Sequence, residues 1–188
     1  MSDQKQQVAA ALVEAIASGQ RRALGQLIGL YSRGLTAVAA RYLGREDDAE
    51  EVVQDVFVRV WRHAGRYDPA RAKVSTWLYR IAVNLCIDRR RKRALLRVIG
   101  LEETEIPDPQ PTPADRIDGA SELAAVRGAI DTLPNRQRMA LLLRAVGGLE
   151  TAEVATAMGL STGAAEQLLV RARRKLREAA DSTRDGVR

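Results

Sequence analysis

Trp77 and Tyr79 stand at the start of a segment that ends in five consecutive bases, Arg89-Arg90-Arg91-Lys92-Arg93. Aromatic rings beside cations suit an unpaired nucleic-acid strand, because rings stack on bases while cations hold phosphates. The same residues also suit a helix whose rings enter a core and whose charges face water. A second basic group follows Glu166 and Gln167 near the C-terminus: Arg171, Arg173, Arg174, Lys175 and Arg177. A Glu carboxylate accepts from cytosine N4, and a Gln amide binds adenine through two hydrogen bonds. The adjoining bases fit backbone phosphates, whose contacts give affinity and strong salt dependence.

Few other residues offer chemistry. Cys86 is the only cysteine, so neither an intrachain disulfide nor a cysteine zinc cluster can form. His63 is the only histidine, and it sits beside Trp61 and Arg62 at the end of a helical pattern, where a base suits the helix dipole. There is no P-loop lysine pattern and no pair of acids of catalytic type, so the chain is not expected to be an enzyme. No cofactor or metal is expected. No run of 18 apolar residues suggests a membrane span. Met1 to Gln7 is polar and lacks a signal-peptide layout, so a cytoplasmic location is expected.

The surrounding sequence says what must position these residues. The chain has 188 residues, 46% of them hydrophobic but only 4% aromatic, so its core is mainly aliphatic and Ala-rich. Good helix formers dominate and strand-like alternation is absent, which predicts an all-α fold. The net charge of +6 resolves into +8 over residues 1–100, −5 over 101–120 and +3 over 121–188. Four of the six prolines lie in Pro107-Asp-Pro-Gln-Pro-Thr-Pro113, among Glu102, Glu103, Glu105 and Asp108. Alternating prolines favour extended backbone, so an exposed acidic linker is expected at 98–118. Two small helical domains, 1–97 and 119–188, flank it.

In the first domain, helices are expected at 4–18, Ala23–Leu43, Glu46–Ala64 and Trp77–Leu96, the last with Ser75 as N-cap. Val52, Val53, Val56, Phe57, Val60 and Trp61 form one apolar stripe. Leu78, Ile81 and Leu85 form another. In the second domain, helices are expected at 119–132, Arg136–Val146, Thr151–Met158 and Thr162–Ala180. The last two have the layout of a helix-turn-helix. Ala155 and Ala165 are small where two helices cross, and Gly159 supplies the left-handed turn between them. Val154, Met158, Leu160 and Leu168 close a small core, and Ser161 or Thr162 caps the second helix. That helix then enters the major groove by its N-terminal side chains.

Three strings carry a family resemblance. Asp48-Ala-Glu-Glu-Val-Val-Gln-Asp-Val-Phe-Val-Arg-Val-Trp61 resembles region 2.2 of bacterial sigma factors. Ser75-Thr-Trp-Leu-Tyr-Arg-Ile-Ala-Val-Asn-Leu-Cys-Ile-Asp-Arg-Arg90 is similar to regions 2.3–2.4 of the extracytoplasmic-function (ECF) group of the sigma-70 family. Leu133-Pro134 and Arg171-Ala-Arg-Arg-Lys-Leu176 resemble region 4. The likeness covers about residues 20–97 and 119–178, in order.

The resemblance implies a sigma factor that brings RNA polymerase core to promoters, with the beta-prime and beta subunits and promoter DNA as partners. The helix bearing Gln54, Asp55 and Phe57 would dock on the beta-prime clamp helices, through exposed Gln54 and Asp55, with Phe57 and Trp61 mainly core. Tyr67 and Lys73 belong to the loop Arg66–Val74, which would cradle a base flipped from the -10 element. Trp77, Arg80 and Asn84 would read that element, Arg89, Arg90 and Arg91 would hold its backbone, and Asp88 would brace the basic helix. Thr162, Glu166, Gln167, Val170, Arg171, Arg173, Arg174 and Lys175 would read or hold the duplex -35 element. Glu166 stands where many relatives have Lys or Arg, so no -35 sequence carries over. An anti-sigma factor that masks both regions is also implied. Two weak DNA sites held apart by polymerase would gain avidity. Two other readings are an ordinary helix-turn-helix regulator on duplex operator DNA and a protein-interaction module. The first leaves the Trp77 helix, the region 2.2 match and the linker unexplained, and under the second, replacing Arg171 and Arg173 with Ala would leave binding untouched.

The linker's acids would mimic nucleic acid in a basic polymerase channel. Replacing Glu102, Glu103, Glu105 and Asp108 with Gln is expected to alter initiation and the yield of abortive transcripts. Unchanged transcript patterns would refute that role.

Overall fold

Apolar residues that recur every three to four positions need one buried stripe per helix, and the described residues meet that need with helices alone. The computed structural model describes residues 2–99 and 128–185. Residues 100–118 of the expected linker and 119–127 of the expected next helix lie outside them. Helix α1 spans Ser2–Ala17, α2 Arg21–Leu43 and α3 Glu46–His63, followed by a 3-10 turn at Ala64–Arg66. Helix α4 spans Val74–Val98, α5 Asn135–Ala145, α6 Thr151–Met158 and α7 Thr162–Asp185. Residues 128–131 are helical as well.

The first four helices pack on one another. Gly19 (φ 86°) and Gly44 (φ 75°) end α1 and α2 in the left-handed conformation that a side chain resists. Acids fill the first turn of α3 (Glu46, Asp47, Asp48) and bases its last (Arg62, His63), matching the helix dipole. Its stripe Val52, Val53, Val56, Phe57 and Val60 is buried against α2 and α4. Trp61, expected mainly in the core, keeps 36% of its surface exposed. Leu78 and Leu85 of α4 are buried, and Ile81 is half-buried.

Ser75 is not the cap of α4. The helix starts one residue earlier, and its first amide is satisfied from a distance: Val74 N–H donates to Gln6 Oε1 of α1 at 3.1 Å. Gln6 Nε2 donates to the Tyr67 hydroxyl (3.3 Å), which donates to the Ala72 carbonyl (3.0 Å). One α1 side chain therefore fastens both ends of the loop before α4.

The helix-turn-helix forms as its spacing predicts. Gly159 adopts φ 65°, and Ser161 Oγ accepts the Ala164 N–H at 3.3 Å as the cap of α7. Val154, Ala155 and Ala165 are buried. Leu168, expected in that core, is only half-buried, and the next residue, Leu169, turns inward instead. Arg138 of α5 is also buried. Its guanidinium donates to the Asp131 carbonyl and pairs with the Asp131 carboxylate at 3.4 Å, while burial pushes its pKa down.

The two domains do not stand apart. Helix α6 lies on α4 and α5 touches α2. One buried cluster joins Leu35 of α2 and Leu78 and Tyr79 of α4 to Met139 and Leu142 of α5 and Val154 and Ala157 of α6. A domain of under about 100 residues has a modest core and leaves apolar faces uncovered, so mutual packing covers them. Tyr79, expected to offer its ring to a base, is only 5% exposed, and burial pushes its phenol up to about 12.

Replacing Gln6 with Ala removes the cap on α4. A cost of about 1 kcal/mol is expected, read as a fall of roughly 2–4 °C in Tm for a chain of this size. An unchanged melting curve would show that solvent caps Val74 equally well.

Candidate nucleic-acid interface

Three surfaces carry the residues singled out by the sequence. The first lies where the loop 67–73 meets the start of α4. Tyr67 and Trp77 face each other with ring centroids 5.2 Å apart and planes tilted by 43°. Trp77 packs partly on the core, and the fastened loop holds Tyr67 beside it. They line a half-open cavity of about 290 Å³ together with Arg59, Arg66, Arg80 and Asn84. Arg80 and Asn84 are exposed three and seven residues beyond Trp77, on one face of α4. Thr76 lines the wall, 2% exposed, and its hydroxyl has no hydrogen-bond partner. Rings, an amide and cations around one cavity are able to stack on a base, hydrogen-bond its edge and offset phosphate charge. Arg71, within the expected base-cradling loop, also lines it, whereas Arg59 was not assigned from the sequence. The helical period of α3 places Arg59 near its end, but only the fold brings it to the loop. Arg71 is additionally paired with Asp68 at 3.2 Å.

Three of the residues expected to meet -10 DNA make contacts within the chain. Lys73 pairs with Glu153 of α6 at 3.0 Å. Arg89 pairs with Glu51 at 2.5 Å and with Asp48 at 3.3 Å, so α3 holds its guanidinium. Hydrogen bonding to Glu51 raises the Arg89 pKa. Arg90 is half-buried, with its guanidinium 5.3 Å from the Tyr42 ring centroid and one N–H donating to the Tyr42 carbonyl at 3.5 Å. The reason is the helical period: positions 89 and 93 return to the face of α4 that meets α3, and Arg93 also pairs with Asp48, at 2.5 Å. Asp88 is exposed; Asp48 and Glu51 do the bracing assigned to it. Arg91 keeps its exposed place, and Lys92 of the same run is exposed beside it.

The second surface is the outer face of α3. Gln54 and Asp55 are exposed, as expected. Phe57, named with the docking residues but expected mainly in the core, is 6% exposed and belongs to the core, so it has little surface to offer. Val58 (45% exposed) and Trp61 (36%) are the large apolar side chains that this face exposes. They lie four and seven residues beyond Gln54, the spacing of one helix face.

The third surface is α7. Thr162, Glu166, Gln167, Val170, Arg171, Arg173, Arg174 and Lys175 are all exposed, with Val170 at 62%. Arg171 donates to Gln167 Oε1 at 3.3 Å, and Arg174 pairs with Glu178 at 3.5 Å. Buried Ala165, Leu169 and Ala172 hold the opposite face against α5 and α6. Of the two groups with ordinary nucleophilic potential, Cys86 is buried with its thiol pushed up to about 12, and His63 is exposed at the end of α3. No described helix is long and apolar enough to cross a membrane.

Comparison with known proteins fits this division. The family profile described as Sigma-70 region 2 matches residues 27–95, and that described as Sigma-70, region 4 matches residues 123–176. The chain is 33% identical to the RNA polymerase sigma factor CnrH of Cupriavidus metallidurans over 168 residues, covering 85% of this chain and 87% of that one. The structure of CnrH in complex with the cytosolic domain of CnrY superposes with a TM-score of 0.70 over 93% of this chain and 98% of that one, at 30% identity. The ECF RNA polymerase sigma factor SigM of Mycobacterium tuberculosis is 34% identical over 169 residues, covering 89% of this chain and 82% of that protein. The sigma factor RpoE in complex with the anti-sigma factor NepR, from Bartonella quintana, shares the fold, with a TM-score of 0.69 at 24% identity over 84% of this chain and 96% of that one. A cavity of rings and cations, a helix-turn-helix with a basic second helix, and region 2 and region 4 profiles in that order have one common account: this chain belongs to the ECF group of the sigma-70 family of RNA polymerase sigma factors.

Proposed function

We propose that this sigma factor divides its work among the three surfaces as follows. The observation that carries the reading is the cavity in which Tyr67, Trp77, Arg80 and Asn84 converge. An unstacked base of the -10 element enters it and stacks on the Trp77 ring, with Asn84 on its hydrogen-bonding edge. Arg80 and Arg91 hold the adjoining phosphates. Melting then draws on capture of bases that have already unstacked, so it needs no nucleotide hydrolysis and no cofactor, and the chain acts without catalysis of its own. The outer face of α3, with Gln54, Asp55, Val58 and Trp61, docks on the polymerase core. Exposed apolar side chains ringed by polar ones are what a helical partner surface covers. Helix α7 enters the duplex at -35, with Glu166 and Gln167 at base edges and Arg171, Arg173, Arg174 and Lys175 along the phosphates. Work with polymerase core places the chain in the cytoplasm. Because RpoE was solved with an anti-sigma factor, a comparable inhibitor is proposed for this chain as well.

Transcription from a cognate promoter with purified core polymerase tests the division. Trp77→Ala is expected to lower open-complex formation by roughly 5- to 150-fold, the worth of one aromatic stack, while duplex -35 binding stays unchanged. Equal opening by the variant would remove Trp77 from strand capture.

The double change Arg171→Ala with Arg173→Ala is expected to weaken promoter binding across sequences. It should also reduce the salt slope by about one for each phosphate no longer neutralised. A slope equal to that of the unaltered chain would show that these arginines touch no phosphate. Asp55→Lys should weaken core binding and leave the -35 affinity of the free chain intact, as a pull-down and a gel shift would read.

A further inference from the structure

We infer that Gln6 is a positioning residue for -10 strand capture: from α1, outside the region 2 profile, it sets the shape of the cavity through the Tyr67 hydroxyl. The inference rests on the assignment of that cavity to the -10 strand. One half-buried amide serves two groups, 61 and 68 positions away. Its oxygen accepts the Val74 N–H at 3.1 Å, and its N–H donates to the Tyr67 hydroxyl at 3.3 Å. A carboxylate of the same reach offers acceptors alone, so the pair of bonds needs the amide. Helix α1 holds that amide in place. Ala9, Val13 and Ile16 bury one face of α1 in the core. Lys5, next to Gln6, adds a cation–π contact, with its ammonium 4.9 Å from the Tyr31 ring centroid.

The Tyr67 hydroxyl has one proton, and it goes to the Ala72 carbonyl at 3.0 Å. Accepting the Gln6 N–H leaves that proton committed to Ala72. Tyr67 stands near the start of the loop and Ala72 near its end, so the relay from Gln6 through Tyr67 to Ala72 ties the two sides together. The hydroxyl is engaged inside the chain, and what Tyr67 offers the cavity is its ring. That ring, 5.2 Å from Trp77 and tilted by 43°, bounds the space beside the indole on which a base stacks. Without the relay, Tyr67 and the loop gain other arrangements. A strand must then order them as it binds, at an entropic cost that the tied loop avoids.

Gln6→Glu separates the relay from the helix cap. The carboxylate still accepts the Val74 N–H, but it has no N–H to give and competes with Ala72 for the one Tyr67 proton. Tyr67→Phe keeps the ring and removes the hydroxyl. Each full-length variant, bound to core polymerase, is measured for initial binding of duplex promoter, for the rate of opening and for affinity toward a single-stranded -10 oligonucleotide. Both changes should slow opening and weaken oligonucleotide binding by about two- to tenfold, the worth of one hydrogen bond. Initial duplex binding should stay unchanged. The double variant should lose no more than the weaker single one, because both changes break one relay. Losses that multiply in the double variant would mean that the two side chains act separately, and would overturn the inference. So would a Gln6→Glu chain that opens promoters and binds the oligonucleotide like the unaltered one. A loss shared equally by initial duplex binding would mark general damage to the fold and overturn it as well. Trp77→Ala is the reference for the cavity. If that variant binds the oligonucleotide undiminished, the cavity assignment fails and the role of Gln6 fails with it. If Trp77→Ala alone weakens binding, the cavity stands and only the role of Gln6 falls.

Discussion

Helix α4 has one period of 3.6 residues with which to satisfy three neighbours, and the rest of the molecule is arranged around the result. Leu78, Ala82, Leu85 and Cys86 go into the core of the first domain. Trp77, Arg80 and Asn84 come out at the cavity. Arg89 and Arg93 turn back to the acids of α3. Insertion of a single residue would rotate everything beyond it by roughly 100°. The cavity, the core and the ion-pair seam would then fall out of register together. The fixed start of α4, set by Gln6 and the 67–73 loop, is therefore as important as its length.

Charge is used in two distinct ways along that helix. At its basic end, Asp48 receives both Arg89 and Arg93, and Glu51 shares Arg89. These pairs cross from α3 to α4 and fix the angle between the two helices in the place where apolar packing thins out. Those two charges are offset internally, and the fully exposed bases of the run are Arg91 and Lys92. Around the cavity, by contrast, Arg59, Arg66 and Arg80 line a common space. A run of bases in a sequence thus overstates what is offered to a polyanion, since a helix shows one face at a time.

Much of this organisation was legible in the sequence. The stripes of α3 and α4 were plain because apolar residues recur at helical spacing, and Gly44 and Gly159 marked turns because both need positive φ. The helix-turn-helix followed from Ala155, Gly159 and Ala165 in order. The errors share one physical origin. Phe57 and Trp61 are both large and both on the stripe, but the edge of a stripe is decided by how far a neighbouring helix reaches, which lies in tertiary contact alone. Leu168 and Leu169 are adjacent, and a core accepts only one of them when the helix rotates by a full residue step. Ser75 had the composition of a cap, yet Gln6, 68 positions away from the amide it serves, filled that place. The packing of α6 on α4 left no local signal at all, because Tyr79 and Val154 each look like ordinary interior residues of their own domain.

The fastening of the 67–73 loop by Gln6 has a practical corollary for modular design. The region 2 profile begins at residue 27, whereas Gln6 lies in α1, upstream of that boundary. A chimera cut at the profile boundary would import the promoter-facing loop and leave behind the side chain that ties it down. The transplanted loop would keep its sequence but lose its shape, and with it the spacing of Tyr67 from Trp77. Interchangeable parts in this architecture are thus better delimited by hydrogen bonds than by profile edges.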